Sequence, residues 1–191
     1  MPTIYVIAGP NGVGMTTFAD TYLPCFVKEL EFVNADLIAK GLSPYDPDSA
    51  SIEAGRIALK RMRQLIAQNH SFTWETTMSG RSAITWLQEA KTKGYTIKCY
   101  FLWVMDVATT IHRIQRRVVQ GGHNIETEVS QRRFYKTLQN FFQIYRPVFD
   151  SWRIYDNGTA PRLIALEKND RLAIRDPEQF EKMAAEASVD L

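Results

Sequence analysis

The segment Gly9-Pro10-Asn11-Gly12-Val13-Gly14-Met15-Thr16-Thr17 constrains this chain more than any other feature, because it directly follows the short β-branched run Thr3 to Ala8. A buried strand that delivers the chain into a glycine-rich turn and then a helix lets successive backbone N–H groups turn inward on an anion. Gly9 and Gly14 have the spacing of the G-x-x-x-x-G-K-[ST] pattern, and Thr16 stands where that pattern places a magnesium-ligating hydroxyl. Gly9, Pro10, Asn11, Gly12, Val13, Gly14, Met15, Thr16 and Thr17 are therefore the candidate nucleotide-binding residues, with Thr16 the candidate metal ligand. One position departs from the pattern, since Met15 occupies the lysine site. That lysine neutralises charge on the β and γ phosphates, and methionine keeps much of its length with no donor and no charge. Binding is expected to survive, whereas phosphoryl transfer should lose about 3–4 kcal/mol of stabilisation. A glycine-rich turn without a ligand is the plain alternative; the strand before, the helix after and the hydroxyl in register favour the phosphate site.

Along the rest of the chain, apolar runs of strand length alternate with longer helical patterns, the order expected of an α/β fold with a mainly parallel sheet. A second strand near Glu31 to Val33 ends at Asn34-Ala35-Asp36, and the turn-rich Gly41 to Pro47 leads into a helix from about Ala50 to Ala67. Phe72 to Glu75 reads as a third strand, Ser82 to Lys93 as a helix stopped by Gly94, and Tyr95 to Val104 as the central strand. Val107 to Tyr145 reads as two helices interrupted at Gly121-Gly122-His123-Asn124. Trp152 to Tyr155 and Arg162 to Leu166 supply a late strand or hairpin, and an amphipathic helix follows Pro177. With 191 residues, 45% of them hydrophobic, one core and one domain over residues 1–191 are expected.

Charge and cysteine usage exclude several classes. A net charge of +2 lacks the one-sided excess that makes nucleic acid or an anionic membrane the default partner. Cys25 and Cys99 form no C-x-x-C or Cys/His cluster, which argues against zinc or a disulfide framework. No stretch approaches the ~20 apolar residues that span a bilayer, and the start lacks a secretory pattern. A cytoplasmic protein is expected.

Carboxylates at strand ends and clustered arginines supply the remaining chemistry. Ligands of an open parallel sheet sit beyond the carboxyl ends of its strands, so Asp36 and Glu75 should face the crevice that holds the glycine loop. Asp36 suits the base that orients an acceptor hydroxyl and takes its proton, or equally the cap of the next helix. Glu75 precedes Thr76-Thr77 and suits holding acceptor hydroxyls, although an exposed strand-end charge is ordinary. Asp106 is a metal neighbour or a helix cap. Arg113, Arg116 and Arg117 fall within little more than one helical turn, and Arg132-Arg133 follow the glycine break. A flap over roughly residues 113–133 would bring these planar forks onto phosphate oxygens, the alternative being solvated surface. Phe141, Phe142 and Tyr145 read as a buried helix face rather than a nucleic-acid stacking platform.

Taken in order, Ala8-Gly9-Pro10-Asn11-Gly12, Val33-Asn34-Ala35-Asp36 with Gly41-Leu42-Ser43-Pro44, Glu75-Thr76-Thr77-Met78-Ser79-Gly80-Arg81, Gly94-Tyr95, Arg116-Arg117-Val118 to Gly121-Gly122-His123, Arg132-Arg133 and Ile154-Tyr155-Asp156-Asn157 resemble the zeta-toxin family of P-loop kinases. The resemblance spans roughly residues 3 to 166. It implies a three-layer P-loop kinase fold with a helical flap. It also implies ATP- or GTP-dependent, magnesium-assisted phosphorylation of a hydroxyl on a nucleotide-activated sugar such as UDP-N-acetylglucosamine. Asp36 matches the base, and Glu75 matches the acceptor site, which would include Asn34, Thr76, Thr77 and Arg81. Arg117 and Arg132 or Arg133 match the flap arginines on the phosphates, and a separate antitoxin protein is an implied partner. Met15 is the departure, and its alternative consequence is a catalytically dead nucleotide-binding module that acts by flap closure.

Overall fold

The computed structural model describes residues 1–27, 31–119 and 127–188. β1 (Thr3–Ala8) is a central strand because its side chains are apolar on both sides: Ile4, Val6, Ile7 and Ala8 are fully buried. It pairs in parallel with β3 (Phe72–Thr76) on one side and β4 (Thr96–Trp103) on the other. β2 (Phe32–Asn34) adds in parallel to β3, and β5 (Ser151–Asp156) adds in parallel to β4. β6 (Arg162–Lys168) and β7 (Arg171–Ile174) then extend the sheet antiparallel, giving the order β2-β3-β1-β4-β5-β6-β7.

Helices cover both faces. α1 (Met15–Phe26) lays Phe18 on Tyr100 and Tyr155, with ring centroids 6.4 and 5.6 Å apart. The opposite face, reached by the next residue along each strand, receives Trp86 of α4 (Ala83–Thr92) against Trp74 at 4.9 Å. It also receives Phe141 against Phe101 at 4.3 Å and Phe180 of α7 (Pro177–Glu186) against Trp152. Each fully buried aromatic contributes roughly 1.5–3 kcal/mol of burial, so this aromatic seam fixes the layers. α2 (Ala35–Leu42) and α3 (Ser51–Ala67) pack together beside the β2 edge on Ala39, Ala50 and Ala54. α5 (Val107–Val119) and α6 (Thr127–Asn140) follow β4, and α6 runs on into a wide π-helical turn at Phe141–Tyr145. The fold is α/β, as the alternating pattern implies. Among the described residues no helix is long and apolar enough to cross a membrane.

Two elements depart from expectation. The chain does not pass from Asp36 through a turn to α3: Asn34 Oδ1 accepts from the N–H groups of Asp36 and Leu37 at 2.8 and 3.1 Å and starts α2 at once. β7 forms because Asn169 and Asp170 both take left-handed φ, +53° and +57°, and close a tight hairpin after β6. The glycine break Gly121-Gly122-His123-Asn124 lies outside the described residues.

Candidate active site

The loop between β1 and α1 is a closed backbone cup. Val13 N–H donates to the Pro10 carbonyl at 3.2 Å, and Phe18 N–H to the Gly14 carbonyl at 3.0 Å. Gly12 has φ +80°, and a Cβ there would stand 2.6 Å from the Thr110 carbonyl oxygen. Gly14 has φ +97°, and its Cβ would stand 2.9 Å from Asn157 Nδ2. Both conformations and both approaches exclude a side chain.

Two residues that the motif alone does not single out brace this cup from β5 and α5. Asn157, immediately past β5, donates through Nδ2 to the Val13 carbonyl at 2.8 Å, while its own N–H bonds the Trp103 carbonyl at 2.7 Å. The Arg113 guanidinium donates to the carbonyls of Val13 at 3.2 Å, Asn157 at 3.1 Å and Gly158 at 2.5 Å. It thereby sets a positive charge against the outside of the loop. The signals for Asn157 in the sequence are its place at the end of the last parallel strand and its membership of the Ile154-Tyr155-Asp156-Asn157 motif.

The residues named at the strand ends do converge. Parallel register places Asn34 beside Glu75, and Glu75 beside Ile7 two positions before Gly9. Thr16 Oγ1 donates to Glu75 Oε1 at 3.0 Å, which ties the phosphate loop to the end of β3. Burial pushes the Glu75 carboxyl up to about 7, the nearby Asp36 charge adds to the rise, and the Thr16 bond opposes it. Its second oxygen, Oε2, is buried and has no hydrogen-bond partner. Asp36 stands exposed in the first turn of α2. Asn34 rather than Asp36 is the cap of that helix, and Asp36 lies near enough to Glu75 for its charge to raise that carboxyl.

Thr76 and Thr77 are half-buried and serve their own loop: Thr76 Oγ1 accepts from Met78 N–H at 3.2 Å, and the Thr77 hydroxyl meets that of Ser79 at 3.0 Å. Arg81 is exposed at the far end of that loop. Arg116, Arg132 and Arg133 are exposed on α5 and α6, whereas the Arg117 side chain lies outside the described residues. Asp106 accepts from Ala108 N–H at 2.9 Å, the geometry of a helix cap. Met15 is 8% exposed and belongs to the main hydrophobic core. Its side chain is sheltered where a lysine would have to reach phosphate.

A hard cation that travels with nucleotide phosphates needs only one or two protein oxygens. The Thr16 hydroxyl is such an oxygen, and its chemistry fits magnesium.

No protein-family model matches the chain. It is 32% identical over 128 residues to an uncharacterized protein of Haemophilus influenzae, a match covering 66% of this chain and 88% of that protein. Its fold is similar to a chain of the AvrRxo1-ORF1:-ORF2 complex crystallised with ATP, at a TM-score of 0.75 and 17% identity over 96% of this chain. This chain spans 63% of the length of that one. A chain from the PezAT chromosomal toxin-antitoxin system of Streptococcus pneumoniae matches at a TM-score of 0.68 and 12% identity, covering 98% of this chain and 86% of the other. Identities this low speak for architecture, whereas the Haemophilus match speaks for kinship. The chain belongs to one family with the Haemophilus influenzae protein, and its fold is that of the zeta-toxin-like P-loop kinases.

Proposed function

We propose that this chain receives the phosphates of ATP or GTP in the cup from Gly9 to Thr17 and holds a small-molecule hydroxyl beside it for phosphorylation, with transfer weakened by Met15. The observation that carries this reading is the 3.0 Å bond from Thr16 to Glu75, because it joins the phosphate loop to a carboxylate at the neighbouring strand end. Loop, Glu75 and Asp36 then border one crevice, where an in-line transfer needs its donor and acceptor.

Asp36 orients the acceptor hydroxyl and takes its proton, and Glu75, with Asn34, Thr76, Thr77 and Arg81 around it, holds the acceptor. Arg117 with Arg132 or Arg133 spreads charge from the transferring phosphoryl group. Thr16, with the nucleotide phosphates, would hold magnesium, which would supply charge neutralisation on the phosphate oxygens. The zeta-toxin resemblance supports a nucleotide-activated sugar such as UDP-N-acetylglucosamine as acceptor. The AvrRxo1 complex crystallised with ATP supports a nucleotide, and the PezAT toxin-antitoxin system among the structural neighbours supports a separate antitoxin protein as partner. Cys25 and Cys99 are both free, which fits a cytoplasmic setting.

The burial of Met15 favours a second reading, a module that binds nucleotide without turnover. Thermal unfolding of this chain and of its Met15→Lys variant, with ATP, GTP, magnesium and UDP-N-acetylglucosamine in turn, tests the proposal. Nucleotide at a hundredfold excess over its dissociation constant should stabilise by about 2.7 kcal/mol. No stabilisation of either protein by any nucleotide overturns both readings. Stabilisation of both, with product formed by neither, leaves the binding module.

A further inference from the structure

The loop after β3 combines a strained backbone with three distant partners. Met78 is 2% exposed and has φ +52°, a conformation that a non-glycine residue keeps only where its surroundings over-determine it. Those surroundings are the end of α6 and the π-helical turn. Thr137 Oγ1 donates to the Thr77 carbonyl at 2.8 Å, Asn140 Nδ2 to the Met78 carbonyl at 2.7 Å, and the Tyr145 hydroxyl to the Gly80 carbonyl at 2.7 Å. Thr137, Asn140 and Tyr145 are themselves buried, at 0%, 1% and 1% exposure.

A buried carbonyl such as that of Met78 must find a partner, and the half-buried Thr77 and exposed Gly80 carbonyls beside it find partners as well. Here they come from 60 to 65 residues away, from one continuous helical segment. That segment also carries Arg132 and Arg133 in α6, and its π-helical turn is of a kind that gathers at functional sites. The opposite end of the loop leaves β3 at Thr76, the residue after Glu75.

We propose that Thr137, Asn140 and Tyr145 are positioning residues that make α6 and residues 76–80 one mechanical unit, so that a nucleotide engaged at the arginine-bearing end of α6 is registered in the loop that follows Glu75. The inference rests on the nucleotide-site reading given above. The coupling runs through packed, hydrogen-bonded groups, and each end biases the other.

Amide hydrogen exchange on the full chain, with and without saturating magnesium-ATP, tests it. In the unmodified chain ATP should slow exchange at residues 11–16 and slow residues 77–80 by roughly five- to tenfold. Thr137→Ser, which keeps the hydroxyl, should retain that ratio. The pair Thr137→Val/Tyr145→Phe should cut it to below about twofold at 77–80 while protection at 11–16 persists. A merely structural role would raise exchange equally with and without ATP and leave the ratio unmoved. An unmoved ratio overturns the proposal. Protection at 11–16 with none at 77–80 in the unmodified chain also overturns it and leaves the nucleotide site standing. Absence of protection at both segments overturns both. If the double variant does not fold, Tyr145→Phe alone, which removes one oxygen atom, should still lower the ratio, and an unchanged ratio there overturns the coupling.

Discussion

The two sides of the candidate site are built from different materials. The proposed phosphate side, Gly9 to Thr17, is backbone: glycines at 12 and 14 take left-handed φ, and side chains from Arg113 and Asn157 brace it from outside. The acceptor side, Asn34 to Asp36 and Glu75 to Gly80, is side-chain chemistry, in which a buried carboxylate, a capping amide and hydroxyls are held by strand register and by α6. The contrast bears on Met15. A cup of amides survives the loss of one side chain, since its donors are the chain itself. Under the proposed function, the charge for phosphoryl transfer would come from side chains and would not survive that loss.

The sharpest way to break this comparison is to restore the cation. Met15→Lys should raise acceptor-dependent phosphoryl transfer by about a hundred- to a thousandfold, read as product formed from ATP and a nucleotide sugar. Adding Asp36→Asn to that variant should remove most of the gain. A rate that stays at background with Met15→Lys, although nucleotide binds, would show that the loop is not the only damaged part. The substitution also places an amine where a core methionine sits, so a lower unfolding temperature should accompany the gain.

The acceptor side should announce itself through pH. Glu75 has an ordinary value of 4.5 that burial pushes up to about 7, so between those values the folded protein holds a proton that the unfolded chain has released. Stability therefore falls as pH rises through that window, by up to about 3 kcal/mol from this group, and does not change further above it. Urea unfolding at a series of pH values should show the fall, and Glu75→Gln should flatten it. An equal slope in the variant would assign the proton to another group.

The smallest effect sharpens the role of Asn34. Asn34→Ala removes the acceptor for the N–H groups of Asp36 and Leu37 and should cost about 1 kcal/mol of stability, measured by denaturant unfolding. Because the same cap fixes the first turn of α2, the Met15→Lys background should also lose activity when Asn34 is changed.

Periodicity and turn chemistry made the elements readable, because strand and helix formation are local. β1 runs over Thr3–Ala8, as its β-branched run implies, and α7 begins at Pro177, where the helix-start rules put it. α2 escaped that reading because Gly41 in its last turn looks like a turn signal, and because a cap two residues before Asp36 is visible only when Asn34 Oδ1 is seen accepting. β7 escaped it because a run as short as Leu172-Ala173-Ile174 does not declare a strand, and the left-handed Asn169-Asp170 pair that folds it back is a conformational fact.

By itself, the sequence determined the α/β class, the glycine-rich turn between β1 and α1, and the methionine that stands at position 15 where the pattern has lysine, since glycine spacing, residue identity and hydrophobic period are properties of the chain. Tertiary structure decided that Thr16 meets Glu75 across 59 residues, that Asn157 and Arg113 brace the loop, and that Thr137, Asn140 and Tyr145 grip the segment after β3. Each of these is a contact between side chains and strand ends that are brought together only by parallel register and helix packing, and neither register nor packing is written in any local stretch of residues.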